Sequence, residues 1–157
     1  MDFIENLEEA EKLDKLKTKI LKYVLYKKRT EQEIRQKFSE EDENVLEDSI
    51  EYLKNAGYIN DKEYVERAIN EFTALKNLSI RDIVYKISQK GAGKDLIDEY
   101  ICQNKETMLE YEISSAKNII IKKKKSNVED ADIKKYLYQK GFMSETVNIA
   151  FDEVENE

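Results

Sequence analysis

If this chain performs chemistry, the first place to look is Ile87–Ile97, "ISQKGAGKDLI", where two glycines and a lysine stand between apolar segments. A glycine-rich loop grips phosphate when its backbone N–H groups converge and its lysine reaches the terminal phosphates. That chemistry needs a glycine, four residues, Gly-Lys, and then Ser or Thr for the magnesium ion. Here Ser88 stands at the first glycine position and Asp95 follows Lys94. The preceding "RDIVYKIS" has helical spacing, so no strand feeds the loop. A turn between two helices is expected, with Gly91 in the left-handed conformation that closes the first of them.

Other chemistries fare no better. Histidine is absent, which removes His-based triads, His-ligated metals and the usual general base near neutral pH. One cysteine, Cys102, leaves no disulfide and no structural zinc site; its place beside Ile101 predicts a buried or half-buried residue. The carboxylates are scattered over polar helix faces, where solvation is their ordinary role. A non-enzymatic protein without cofactors or metals is expected.

Two basic groups stand out: Lys27, Lys28, Arg29, Arg35 and Lys37, and the run "IIIKKKK" ending at Lys122–Lys125. Four consecutive lysines suit contact with phosphates or an acidic surface. They also suit a helix C-terminus, whose free carbonyls and dipole favour cations. The first group lies near an acidic cluster at Glu40, Glu41, Asp42, Glu43, Glu47 and Asp48, which partly cancels its field. The net charge of −7 argues against nucleic-acid binding over the whole surface. Tyr52, Tyr64, Tyr85 and Tyr100 fall on or beside apolar stripes, which predicts core packing with the hydroxyl at the water edge.

The elements that position these residues read as helices throughout. The 157 residues contain no proline and four glycines, and Ile, Leu and Tyr recur three and four apart. An acidic residue precedes isoleucine in three similar segments, at Glu33-Ile34, Asp82-Ile83 and Asp132-Ile133. Phe38, Ile87 and Leu137 follow one turn later, and Gly91 and Gly141 end the second and third copies. In the first copy Asp42 stands where a glycine would fall, so that turn must be built differently. Thr30 with Glu33 is a capping-box pattern, Ser79 with Asp82 repeats its form, and Asn60 with Glu63 is a related start signal. Gly57 fits the left-handed position after a helix. The expected fold is all-α, a tandem array of three three-helix repeats at 15–60, 61–104 and 105–157, with 1–14 an extension. Such arrays are elongated and curved, and they bind other macromolecules along an extended surface.

The acidic start, "MDFIENLEEAEK", shows no secretory signal, and the longest aliphatic run, Ile119–Ile121, is too short to span a bilayer. A soluble, cytoplasmic monomer is expected.

The segment from Arg29 to Phe38, "RTEQEIRQKF", and that from Leu53 to Tyr64, "LKNAGYINDKEY", resemble the regulatory protein RecX family. The later "QKGA" and "QKGF" are similar to that family's repeated helix endings. The resemblance covers residues 16–157 and implies a three-helix-repeat protein that binds the RecA recombinase. It implies modulation of RecA filaments on single-stranded DNA, most often inhibition of strand exchange, ATP hydrolysis and coprotease activity, in DNA repair and the SOS response. No cofactor is implied. The chain's acidity shifts the expectation from direct DNA contact toward protein–protein recognition. On charge alone, the contact residues are expected among Arg29, Arg35, Lys37, Lys122, Lys123, Lys124 and Lys125. Two other readings stand beside this one: a winged-helix DNA-binding regulator, whose wing needs strands after Ile59, and a helical scaffold for another protein.

Overall fold

A computed structural model describes residues 2–157, and among them every regular element is an α-helix. In chain order these are α1 (Phe3–Tyr26), α2 (Glu31–Lys37), α3 (Glu43–Asn55), α4 (Asp61–Leu75), α5 (Ile80–Gln89), α6 (Lys94–Gln103), α7 (Lys105–Lys125), α8 (Asp130–Gln139) and α9 (Ser144–Glu155). Met1, within the expected extension, lies outside the described residues; from Phe3 that segment is continuous with α1.

The helix ends have local causes. The Thr30 hydroxyl accepts the Glu33 N–H and the Glu33 carboxylate accepts the Thr30 N–H, which completes the expected capping box. The Asn60 side chain accepts the Glu63 N–H at the start of α4. After α3, Gly57 takes φ 84°, and the Tyr58 N–H reaches back to the Leu53 carbonyl at 2.9 Å. Asn127, at φ 62°, closes α7 in the same manner, with the Val128 N–H on the Lys123 carbonyl.

The chain forms two compact units. The first holds the residues up to Tyr64 together with Lys90–Gly93. Its core joins Leu16, Ile20 and Val24 of α1 to Ile34 of α2, to Leu46, Ile50 and Leu53 of α3, and to Ile59. Tyr23 and Phe38 meet edge to face at its margin, ring centres 5.8 Å apart. The second unit holds Val65–Gln89 and Lys94–Glu157. There α7 packs along α9, and Ala116, Ile120, Ile133, Leu137, Phe142, Val147, Ala150 and Phe151 form the main cluster.

Several expectations are corrected. Tyr52 and Tyr85 are 56% and 62% exposed, and the buried tyrosine is Tyr111. Cys102 is exposed, because α6 turns Ile97 inward and leaves Cys102 outside. The first turn is built differently, as expected: Asp42 is the N-cap of α3 and accepts the Asn44 and Val45 N–H groups. A wing would need strands after Ile59, and α4 occupies that stretch instead.

Candidate partner-binding surface

The phosphate-loop candidate resolves into a helix joint. Gly91 takes φ 93°, and α6 starts at Lys94. A Cβ on Gly91 would meet the Gln32 side chain at 2.6 Å, so α2 lies directly on this glycine. The Thr30 hydroxyl donates to the Lys90 carbonyl at 2.5 Å, and the Glu31 N–H donates to the Asp61 carboxylate at 2.9 Å. The start of α2 is therefore capped by its own Thr30 and Glu33 and by Asp61, while the Lys90 carbonyl anchors the Thr30 hydroxyl.

The same construction recurs at α5. The Ser79 hydroxyl donates to the Lys140 carbonyl at 2.7 Å and accepts the Asp82 N–H at 3.1 Å. The Ile80 N–H donates to the Glu112 carboxylate at 3.1 Å, as Glu31 does to Asp61. Gly141, at φ 93°, sits under Arg81 as Gly91 sits under Gln32. A carboxylate from the following long helix thus satisfies the first N–H of α2 and of α5, where the helix dipole also favours negative charge.

Glu112 is fully buried and also accepts the Thr146 hydroxyl of α9, so both its oxygens are engaged. Beside it, the Tyr111 hydroxyl donates to the Leu78 carbonyl at 2.7 Å and the Ser115 hydroxyl donates to the same oxygen. Burial pushes the Tyr111 phenol above its ordinary pKa. This polar seam holds the 76–80 turn and has the character of structure, since every group in it points at backbone or at another seam residue.

The first nominated basic group is largely engaged inside its own unit. The Arg35 guanidinium forms a two-point pair with Glu47, at 2.7 and 2.9 Å, and its Nε reaches Glu31 at 3.1 Å. Lys54 joins the network at 2.8 Å from Glu31. The bond to Glu47 is the leading cause that raises the Arg35 pKa above its ordinary value. Burial favours the neutral form of Glu31, yet Lys54 and Arg35 together outweigh it and hold the carboxyl below its ordinary range. Arg29 lies 4.3 Å from the Tyr23 ring centre and 3.9 Å from Glu33, and its buried Nε has no hydrogen-bond partner. Lys37 is exposed, with its ammonium 5.9 Å from the Tyr23 ring centre.

The second group divides by helix face. Lys123 lies 3.9 Å over the Tyr136 ring, and Lys124 is 3.8 Å from Asp130 and 5.7 Å from the Phe151 ring. Lys122 and Lys125 are exposed and make no ion pair among the described residues. The lysine run therefore divides: two members pack on the helix end and two face solvent. Arg29, Arg35 and Lys37 belong to the first unit and Lys122–Lys125 to the second.

Sequence reasoning missed the partners Glu47 and Lys54. Glu31 and Arg35 stand at helical i, i+4 spacing, which is a readable signal. Glu47 comes from α3 and meets Arg35 only through tertiary packing. Among the described residues, no group of three or more acidic, Cys or His side chains is placed to hold a metal ion. No helix there is long and apolar enough to cross a membrane.

These features define an all-helical protein with repeated capped joints and outward-facing cations. No family model matches the chain. A regulatory protein RecX from Finegoldia magna is 32% identical over 136 residues, covering 78% of this chain and 63% of the relative. One from Clostridium beijerinckii is 28% identical over 152 residues, covering 92% and 70%. The chain spans 60% of another, from Staphylococcus carnosus, at 26% identity. Among solved structures, a regulatory protein RecX superposes with TM-score 0.82 at 23% identity, covering 97% of this chain and 80% of that one. RecX from Lactobacillus salivarius superposes at 0.79 with 21% identity, covering 94% and 99%. The chain is similar to regulatory protein RecX over most of its length, and its all-helical fold is that of the solved RecX structures.

Proposed function

We propose that the chain is a non-enzymatic regulator that binds the RecA recombinase, alone or as a filament on single-stranded DNA, and restrains its activities. The observation that carries this reading is the likeness to regulatory protein RecX over 92% of the chain. The architecture supports it: we read the chain as three repeats, at 15–60, 61–104 and 105–157, and the bond from Thr30 to Lys90 has its counterpart in that from Ser79 to Lys140. Arrays of this kind present long surfaces to macromolecular partners. Restraint of recombination, ATP hydrolysis and coprotease action would follow from occupying the filament, with consequences for DNA repair and the SOS response.

Within the nominated residues, Lys37, Lys122 and Lys125 are the best contacts, because they are exposed and form no ion pair among the described residues. Arg35 serves the first unit, and its exchange would act through stability. The test is RecA's DNA-dependent ATPase and filament length with increasing amounts of this protein. A concentration-dependent fall in both supports the proposal, and no change at saturation overturns it.

A further inference from the structure

The amino-terminal half of α1 carries a face that nothing in the first unit covers. The buried residues of α1 begin at Leu16, and before them Phe3 is 77% exposed, Ile4 61% and Leu7 51%. Phe3, Leu7 and Ala10 stand at i, i+4 and i+7, so they form one stripe. Ala10 and Leu13 also line a groove of about 430 Å³ against the start of α3, with Val45 opposite. Ala10 stands both on the stripe and in the groove, so the exposed apolar side chains and the groove adjoin.

The rim of this surface is acidic. Glu9, Asp42 and Asp48 line the groove, with Lys12 the one base among its lining residues. Along residues 2–14 the acids are Asp2, Glu5, Glu8, Glu9, Glu11 and Asp14, against Lys12 alone. Glu40, Glu41 and Glu43 add to this charge around the start of α3. A second copy of α1 would bring a like-charged helix to the stripe, and repulsion opposes that pairing. A nucleic acid is excluded for the same reason.

We propose that this groove and stripe form a docking site for a basic amphipathic helix of a partner protein. The partner's apolar residues would lie along Phe3, Leu7, Ala10 and Val45, and its lysines or arginines would face Glu9, Asp42 and Asp48. Helix-in-groove recognition of this kind reads apolar anchors for affinity and flanking charge for specificity. The inference needs only the exposed stripe and its charge, so it stands apart from the RecA reading.

The probe is a fluorescent peptide of about five turns with leucines at i, i+3, i+4 and i+7 and lysines elsewhere, as that period demands. Two controls are the same composition scrambled, and the same stripe with glutamates replacing the lysines. Fluorescence anisotropy with the full chain should show binding of the first peptide only, weakening with salt. Leu7→Asp and Asp48→Lys should each reduce the affinity about tenfold, the effect expected of one anchor or one charge contact of about 1.4 kcal/mol. Both positions are exposed, and unchanged circular dichroism will show that the fold is intact. Equal binding of the scrambled peptide, or affinity indifferent to both substitutions, overturns the proposal. So does concentration-dependent dimerisation in sedimentation that Leu7→Asp abolishes, because the stripe would then belong to a second copy.

Discussion

The Thr30 hydroxyl accepts the Glu33 N–H at 3.1 Å and donates to the Lys90 carbonyl at 2.5 Å, so one side chain both starts α2 and ties it to Lys90. Thr30 is fully buried, which makes both bonds costly to lose. Thr30→Val keeps the volume and removes both. The loss of a cap costs about 1 kcal/mol and an unpaired, partly shielded carbonyl up to as much again, so a destabilisation of roughly 1–2 kcal/mol is expected. Thr30→Ser retains the hydroxyl and should lose less than about 1 kcal/mol. Urea unfolding of the three proteins checks the order.

Gly91 and Gly57 share a positive φ but differ in surroundings. A Cβ at Gly57 meets nothing within 4 Å, whereas at Gly91 it would strike Gln32 at 2.6 Å, including the Cβ of that residue. Gly57→Ala should cost only the left-handed strain, about 1–2 kcal/mol. Gly91→Ala adds displacement of α2 and should exceed it by about 1 kcal/mol or more. Gly141→Ala meets chiefly the guanidinium end of Arg81, which can swing aside, and should fall between the other two. Thermal unfolding of the three alanine variants tests the ranking; equal losses at all three sites would mean the close approach contributes nothing.

Much of this architecture is legible before any coordinates. Helical periodicity, the caps at Thr30 and Asn60 and the glycines at 57, 91 and 141 are local signals, and local physics sets helix type and helix ends. Contacts that join residues far apart in sequence leave weaker traces. Glu112 lies among charged and apolar neighbours with nothing to mark it as buried, since its partners Ile80 and Thr146 stand on two other helices. The lysine run was readable as charge, but its division into packed Lys123 and Lys124 and open Lys122 and Lys125 depends on where Tyr136, Phe151 and Asp130 come to rest.

Glu112 offers a sharper test of the joint. Glu112→Ala leaves the Ile80 N–H and Thr146 hydroxyl without a partner and opens a cavity, a combined loss of about 3 kcal/mol or more. Glu112→Gln keeps an acceptor for Ile80, and the Thr146 hydroxyl can rotate to accept from the new amide. The glutamine variant should therefore retain most of the stability. If both variants unfold at the same urea concentration, the hydrogen-bond account of this residue fails.

Acid should weaken the first unit through Glu31. Its carboxyl is held below the ordinary range, so the unfolded chain binds the proton first as pH falls. The stabilisation is full above the unfolded pKa, about 4.3, and disappears as pH drops through the folded value. Asp61 has the opposite sign: burial raises its pKa despite the Glu31 N–H bond, and protonation favours the folded form. Glu31→Gln should flatten the acid limb of a stability–pH curve, and Asp61→Asn should steepen it. Denaturation midpoints between pH 3 and 7, the span in which carboxylates titrate, distinguish these slopes.

Arg35 and Lys125 should separate stability from recognition. Arg35 bridges Glu31 and Glu47, so Arg35→Ala removes a network and leaves Glu31 with Lys54 alone. The pair with Glu47 is exposed, which limits the expected loss to about 1 kcal/mol. Lys122→Glu with Lys125→Glu touches no ion pair among the described residues and should lower the unfolding midpoint only slightly, through the lost cations at the C-terminal end of α7. If these lysines meet an acidic face of RecA, the double variant should weaken inhibition of the RecA ATPase at least tenfold, with two charge reversals each costing about 1 kcal/mol or more. Arg35→Ala should lower the midpoint and leave inhibition by the folded protein intact. Titration of RecA ATPase beside urea unfolding for each variant decides it: a double lysine variant that inhibits like the parent removes this end of α7 from the contact surface.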